Sequence, residues 1–202
     1  MTFAATRDYL DIYNTYGGFE LGGVTVGVVG FGAIGRRVVR RLRAFGSRVL
    51  VYDPFVPPAA VREAQAEPLE LDELIRAVDV LTLHCPDTPE NHGLIDATRI
   101  RAMRRGALFL NLARAAIGDD EALYAALRDG HLAGAALDVF ADEPVRPENR
   151  YVQLPNVLVA PHLGGATRDV VRHQSEMIVD GIEAWLRGER PRFLVNPDVL
   201  GR

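Results

Sequence analysis

The residues with the most chemical content begin at Val28-Val29-Gly30-Phe31-Gly32-Ala33-Ile34-Gly35, an apolar run leading into G-x-G-x-x-G and then a helical pattern. Each glycine has its own physical reason. Gly30 permits the tight turn, Gly32 lets the backbone come close to a pyrophosphate, and Gly35 lets the helix pack on the strand. Free amides and the positive end of the helix dipole then hold phosphate groups. Asp53 closes the next apolar run, Arg48-Val49-Leu50-Val51-Tyr52, 18 residues past Gly35. A carboxylate there accepts hydrogen bonds from both hydroxyls of a ribose and repels a 2′-phosphate, which favours NAD over NADP. A glycine-rich turn with a capping Asp is the plain alternative. The strand before the motif, the helix after it and the acid at the next strand end favour the dinucleotide site.

Three further segments carry side chains suited to acid–base work and anion binding. They are Asn111-Leu112-Ala113-Arg114, then Leu137-Asp138-Val139-Phe140-Ala141-Asp142-Glu143-Pro144, then Ala160-Pro161-His162-Leu163-Gly164-Gly165. A histidine holds or releases a proton near neutrality. An arginine fork grips a carboxylate with two parallel hydrogen bonds. With a nicotinamide dinucleotide, these suit an oxidoreduction in which a hydride leaves carbon while a base takes a proton. Singly, each has a plainer reading: His162 structural, Glu143 a loop carboxylate, Arg114 a surface ion pair. As an ordered set behind a dinucleotide fingerprint they point to one site.

The elements that must position these residues are short apolar runs alternating with helical patterns. The runs are Val24–Val29, Val49–Tyr52, Val78–Leu83, Leu108–Leu112, Ala135–Val139 and Val157–Ala160. They are nearly continuous rather than alternating, as strands buried on both faces must be. Between them lie helices expected over Ile34–Ala44, Leu71–Ala77, Ala97–Met103 and Asp120–Leu127. A longer one follows over Thr167–Arg187 and stops at Gly188. Its apolar positions Val170, Val171, Met177, Ile178, Ile182 and Trp185 share one side, expected to face the core. The alternation predicts right-handed crossovers and an α/β fold, a doubly wound six-stranded parallel sheet of the Rossmann type.

Composition narrows the function classes. The chain has 202 residues, 48% hydrophobic and 25% charged, enough to bury a core. No uncharged apolar run approaches the length that spans a membrane, and the N-terminus lacks a signal-peptide pattern. All 23 basic residues are arginine, yet the net charge is −4, which argues against nucleic acid as partner. The arginine-rich helix Arg36, Arg37, Arg40, Arg41, Arg43 is expected to be a solvated face. A lone cysteine, Cys85, cannot form an internal disulfide, so a cytoplasmic location is expected. His84, His92, His131 and His173 lack metal-ligand spacing, and no metal is expected.

Together with Leu83-His84-Cys85-Pro86, the order and spacing of these motifs resemble the D-isomer-specific 2-hydroxy acid dehydrogenases, nearest their phosphoglycerate dehydrogenase-like branch. The resemblance runs from about Leu21 to Pro197. It implies Arg114 as substrate clamp, His162 as acid/base and Glu143 as the carboxylate partner of His162. It also implies pyrophosphate on the Ala33 and Ile34 amides, Asp138 near the nicotinamide carboxamide, and Pro86, Ala113, His162 and Gly164 against the NAD cofactor. The implied substrate is a small 2-hydroxy or 2-oxo acid, and the implied assembly a homodimer. Two positions depart from the family pattern, Ala115 for a usual glycine and Asn91 for a common threonine. Family members are also longer. Residues 1–20 are therefore expected to be the remnant of an inter-domain helix and linker, 21–190 the NAD-binding domain, and 191–202 a tail belonging to an absent substrate domain. The alternative is an NAD-binding regulatory module without turnover, resembling the corepressors related to this family. An interaction module has no physical need for Arg114, Glu143 and His162 together.

Overall fold

The computed structural model describes residues 18–198, so most of the segment assigned to the inter-domain helix lies outside the described residues. Contacts divide the chain into two compact units, Met1–Pro161 and His162–Arg202. The NAD-binding domain expected from the sequence, residues 21–190, spans this division.

The first unit is built on seven parallel strands. In chain order its elements are β1 (Thr25–Val29), α1 (Ala33–Ala44), β2 (Arg48–Tyr52), α2 (Pro58–Glu63), β3 (Glu67–Pro68), α3 (Leu71–Ala77) and β4 (Val80–Leu83). Then come α4 (Ala97–Ala102), β5 (Leu108–Asn111), α5 (Asp120–Arg128), β6 (Gly134–Leu137) and β7 (Val157–Val159). The strand order is β3-β2-β1-β4-β5-β6-β7. The expected six-stranded sheet thus gains one strand. β3 is two residues long, pairs Leu50 with Glu67 and Val51 with Pro68, and sits at the sheet edge. An edge tolerates proline and needs no apolar run, so neither periodicity nor composition marks it.

Successive residues of a strand face opposite sides of a sheet, and the two cores follow that alternation. Val28, Val49 and Val51 join Val39 of α1 and Val61 of α2 in one cluster. Val29, Leu50, Leu81, Leu83 and Phe109 join Leu74 and Ile75 of α3, Ile100 of α4, and Leu123 and Leu127 of α5 in the other. α1 and α2 therefore cover one face and α3, α4 and α5 the opposite one. The chain changes face between β3 and β4. That reversal leaves a crevice beyond the carboxyl ends of β1 and β4, where open α/β sheets take their ligands. Asp96 and Asp119 cap α4 and α5, accepting the N–H groups of Arg99 and Ala122 at 2.8 and 2.9 Å.

The second unit holds α6 (Val170–Leu186), which stops before Gly188 at φ 75°. Within this unit the tail around Pro191–Asn196 lies beside α6 and leaves an apolar groove of about 670 Å³, lined by Met177, Ile178, Ile182, Trp185, Phe193 and Val195. No residue of α6 is buried, and Ile178 and Trp185 are each 63% exposed. The expectation that its apolar side faces a core is thus corrected. Helical spacing identifies an apolar side but not what covers it, and one helix with a short tail offers too little surface to do so. No described helix is long and apolar enough to cross a membrane.

Candidate functional site

The β1–α1 turn is shaped by main chain. Gly30 has φ 95°, and a Cβ on it would stand 2.7 Å from the backbone nitrogen of Cys85. A Cβ on Gly35 would stand 2.0 Å from the Gly30 carbonyl oxygen, so helix and turn meet only because Gly35 lacks a side chain. Gly32 differs: a Cβ there would have nothing within 4 Å. It is also the N-cap of α1, no side chain caps that helix, and its first turn has no acidic residue. The leading amides, Ala33 and Ile34 among them, thus open onto clear space at the positive end of a helix. Those features fit a pyrophosphate.

Asp53 follows β2 and is fastened to the same turn. Its Oδ2 accepts the Phe31 N–H at 2.7 Å and its Oδ1 accepts the Phe55 N–H at 2.9 Å. Asp53 also borders a hollow of about 430 Å³ with Tyr52, Pro54 and Arg62. On α1, Arg36, Arg37, Arg40 and Arg41 are exposed, as a solvated face requires, whereas Arg43 departs from that expectation: it is half-buried and donates to the Ser47 carbonyl at 3.0 Å. Arg36 lies 4.3 Å above the buried Phe31 ring.

A cleft of about 560 Å³ brings several expected residues together: Ala33, Ile34, Pro86, Ala113 and Arg114, with His84, Cys85, Asp87 and Leu112. It lies where the ends of β1, β4 and β5 meet. Burial lowers the His84 imidazole's pKa below its usual value, and its Nε2 lies 3.0 Å from Thr82 Oγ1. Burial pushes the Cys85 thiol up, and the Asp53 charge adds to this. Cys85 is therefore a packed thiol rather than a nucleophile.

Arg114 leaves the end of β5 with an exposed side chain whose Nη1 donates to the Ala113 carbonyl at 2.6 Å. Beneath it, the side chain of Asn111 accepts the Ala113 N–H at 3.0 Å and donates to the Arg114 carbonyl at 2.9 Å. The backbone carbonyl of Asn111 accepts the N–H of Asp138, which is 5% exposed at the end of β6. The sequence reading quoted Asn111 without giving it a role. The signal was an asparagine whose amide can bond the backbone two residues on.

Glu143 lies on the loop after β6, and its Oε1 accepts the Phe140 N–H at 3.0 Å. Phe140 packs against Tyr151, ring centroids 6.3 Å apart, and the Tyr151 hydroxyl donates to the Asp120 carbonyl and carboxylate at 2.9 Å. Burial and the Asp120 charge push the Tyr151 phenol up, so it remains a donor. Arg150 pairs with Asp120 and Glu121 and lies over the Tyr124 ring. The loop bearing Glu143 is thereby tied to α5. His162 and Gly164 fall in the second unit, where His162 has φ 57°. Non-glycine residues are uncommon in that left-handed region, and such strain clusters at functional sites.

Comparison with known proteins places this geometry in a family. Residues 5–164 match the family described as "D-isomer specific 2-hydroxyacid dehydrogenase, NAD binding domain". The chain is 40% identical over 183 residues to a glyoxylate reductase of Thermococcus kodakarensis, covering 91% of this chain and 55% of that protein. It is 38% identical over 180 residues to a D-3-phosphoglycerate dehydrogenase of Methanocaldococcus jannaschii, covering 89% and 34%. The crystal structure of D-lactate dehydrogenase with NAD+ from Lactobacillus jensenii superposes with a TM-score of 0.79 at 29% identity, covering 88% of this chain and 57% of that one. The chain thus spans about half the length, or less, of the relatives it matches. On the strength of that match and of the NAD-type turn at β1, the chain belongs to the D-isomer-specific 2-hydroxyacid dehydrogenases and carries their NAD-binding domain.

Proposed function

We propose that this chain is the NAD-binding part of an oxidoreductase that interconverts a small 2-hydroxy acid and its 2-oxo acid. The observation that carries the reading is one cleft lined by both Ala33–Ile34 and Arg114. Helix-start amides that suit a pyrophosphate and a guanidinium that suits a carboxylate open into the same space. The relatives' names pair this family with glyoxylate and with 3-phosphoglycerate, substrates that share a carboxylate beside the reacting carbon.

When bound, NAD supplies the hydride acceptor, or as NADH the donor. Ala33 and Ile34 hold the pyrophosphate through their N–H groups, and Asp53 accepts the ribose hydroxyls. Pro86, Ala113 and Gly164 complete the cofactor's surroundings, with Asp138 assigned to the carboxamide. Arg114 anchors the substrate carboxylate. His162 takes the hydroxyl proton in oxidation and returns it in reduction, and Glu143 favours the protonated imidazole. Substrate choice rests with the part of the relatives' length that this chain does not span. A homodimer in the cytoplasm belongs to the same reading, supported by the family likeness and the lone Cys85.

The test has two arms. Calorimetric titration of the chain with NADH and NADPH is expected to favour NADH, and equal affinities would remove Asp53 from its role. The chain joined to the substrate domain of a related reductase is expected to reduce glyoxylate or another small 2-oxo acid with NADH. In that fusion His162→Ala lowers turnover by about 10²–10⁴. An undiminished rate would refute the acid/base assignment. NADH binding with no turnover in the fusion would favour the regulatory module.

A further inference from the structure

We propose that Asn111 is the positioning residue for Arg114: its side-chain amide fixes the backbone on both sides of the arginine and so sets where the guanidinium meets a substrate carboxylate. The inference rests on the reading of Arg114 as that anchor. Asn111 is 4% exposed at the carboxyl end of β5, paired with Leu83 of β4 and Leu137 of β6. Its Oδ1 accepts the N–H of Ala113, the residue before Arg114, at 3.0 Å. Its Nδ2 donates to the carbonyl of Arg114 itself at 2.9 Å. One planar group thereby holds a main-chain donor just before the Arg114 Cα and a main-chain acceptor just after it.

An amide is needed for this. It presents an acceptor and a donor on one rigid plane. Aspartate is the same size but has no donor, so a carboxylate oxygen would face the Arg114 carbonyl. Serine has one oxygen and cannot reach both partners. Arg114 is exposed and long, with many rotamers, and its carbonyl takes the Asn111 amide at 2.9 Å beside the more distant Ile117 N–H at 3.3 Å. A buried amide below an exposed guanidinium fixes the base of the arm without itself occupying the guanidinium, whose Nη1 donates to the Ala113 carbonyl. Through its own carbonyl, Asn111 also receives the Asp138 N–H at 3.0 Å. The segments holding Arg114 and Asp138 are therefore registered against one residue.

The test uses the chain joined to the substrate domain of a related reductase, saturated with NADH and titrated by calorimetry with oxamate, an unreactive 2-oxo acid analogue. NADH affinity and melting temperature are measured alongside. For Asn111→Asp, oxamate affinity is expected to fall about tenfold, the scale of one misplaced hydrogen bond to a charged group, while NADH affinity changes less than about twofold. Asn111→Ser serves as the second variant should Asn111→Asp fold poorly, with the same expectation. In an Arg114→Lys background the further loss from Asn111→Asp is expected to be smaller than in the wild type, because the two act through one contact. Unchanged oxamate affinity, a parallel loss of NADH and oxamate, or full additivity with Arg114→Lys would each overturn the positioning role. Failure of the underlying reading looks different. In that case Arg114→Ala binds oxamate as well as the wild type, or the wild type does not bind it, and the anchor and its positioning fall together.

Discussion

Two turns at the carboxyl edge of the sheet solve the same problem by opposite means. The β1–α1 turn brings main chain to a ligand by leaving side chains out: Gly30 and Gly35 each sit where a Cβ would meet backbone atoms within 2.7 Å. The turn after β5 adds a side chain, with Asn111 bonding main chain on both sides of Arg114. The first presents dipoles that are part of the fold. The second presents a charge at the end of a flexible arm and must steady its base. In this fold the turn proposed to take phosphate is built on glycines, whereas the arginine proposed to take carboxylate stands above a buried amide.

Substitutions can separate the parts of that contrast. The largest effect is expected at Gly35. Gly35→Ala forces a Cβ to 2.0 Å from a backbone oxygen that cannot move aside, so the chain should lose about 3 kcal/mol or more of stability, read by thermal or urea unfolding. Gly32→Ala, three positions away, should leave unfolding unchanged because its φ of −75° suits alanine and its surroundings are open. Its NADH affinity should nonetheless fall by about tenfold to a hundredfold, about 1.4–2.8 kcal/mol, as the methyl takes the space of the pyrophosphate. A Gly32→Ala protein that binds NADH normally would break the distinction drawn between the three glycines.

Asp53→Ala should cost less in each property but touch both. Loss of the acceptor for Phe31 and Phe55 is worth about 1–2 kcal/mol of stability, and calorimetry should show NADH and NADPH binding brought closer together. The smallest effect concerns pH. Burial holds the His84 pKa below its usual 6.5. Between its folded pKa and that value the unfolded chain binds a proton the native chain does not, so stability is lost as pH falls below about 6.5. Urea unfolding of His84→Gln over that range should show a shallower decline than the wild type.

The same contrast explains what was legible in the sequence. Parallel strands announce themselves as apolar runs, and six of the seven did so, although the expected burial on both faces does not hold for β7, where Leu158 is 71% exposed. β3, which is Glu67 and Pro68 at an edge, has no such run, and α2 before it is only six residues long. The glycine turn was legible because steric need fixes residue type at fixed spacing. The roles proposed for Arg114 and Glu143 rest on their membership of an ordered set. The task of Asn111 was hidden, because a side chain bonding backbone two and three residues on is a fact of geometry. The exposed apolar side of α6 was misread for a related reason. Periodicity gives a helix two sides and says nothing of its neighbours.

Asp53 has a thermodynamic consequence beyond cofactor preference. Each carboxylate oxygen offers two lone-pair directions, and one on each is taken by a backbone N–H, from Phe31 on one side and Phe55 on the other. The torsions of this side chain are therefore frozen when the sheet forms, before any ligand arrives. In the role proposed for Asp53, a ribose diol would meet an acceptor pair already held by two backbone donors, so part of the entropy of ordering would belong to folding rather than to binding. Cofactor association at this corner should then be fast to settle and insensitive to side-chain rearrangement, in contrast to the arginine arm that waits at β5.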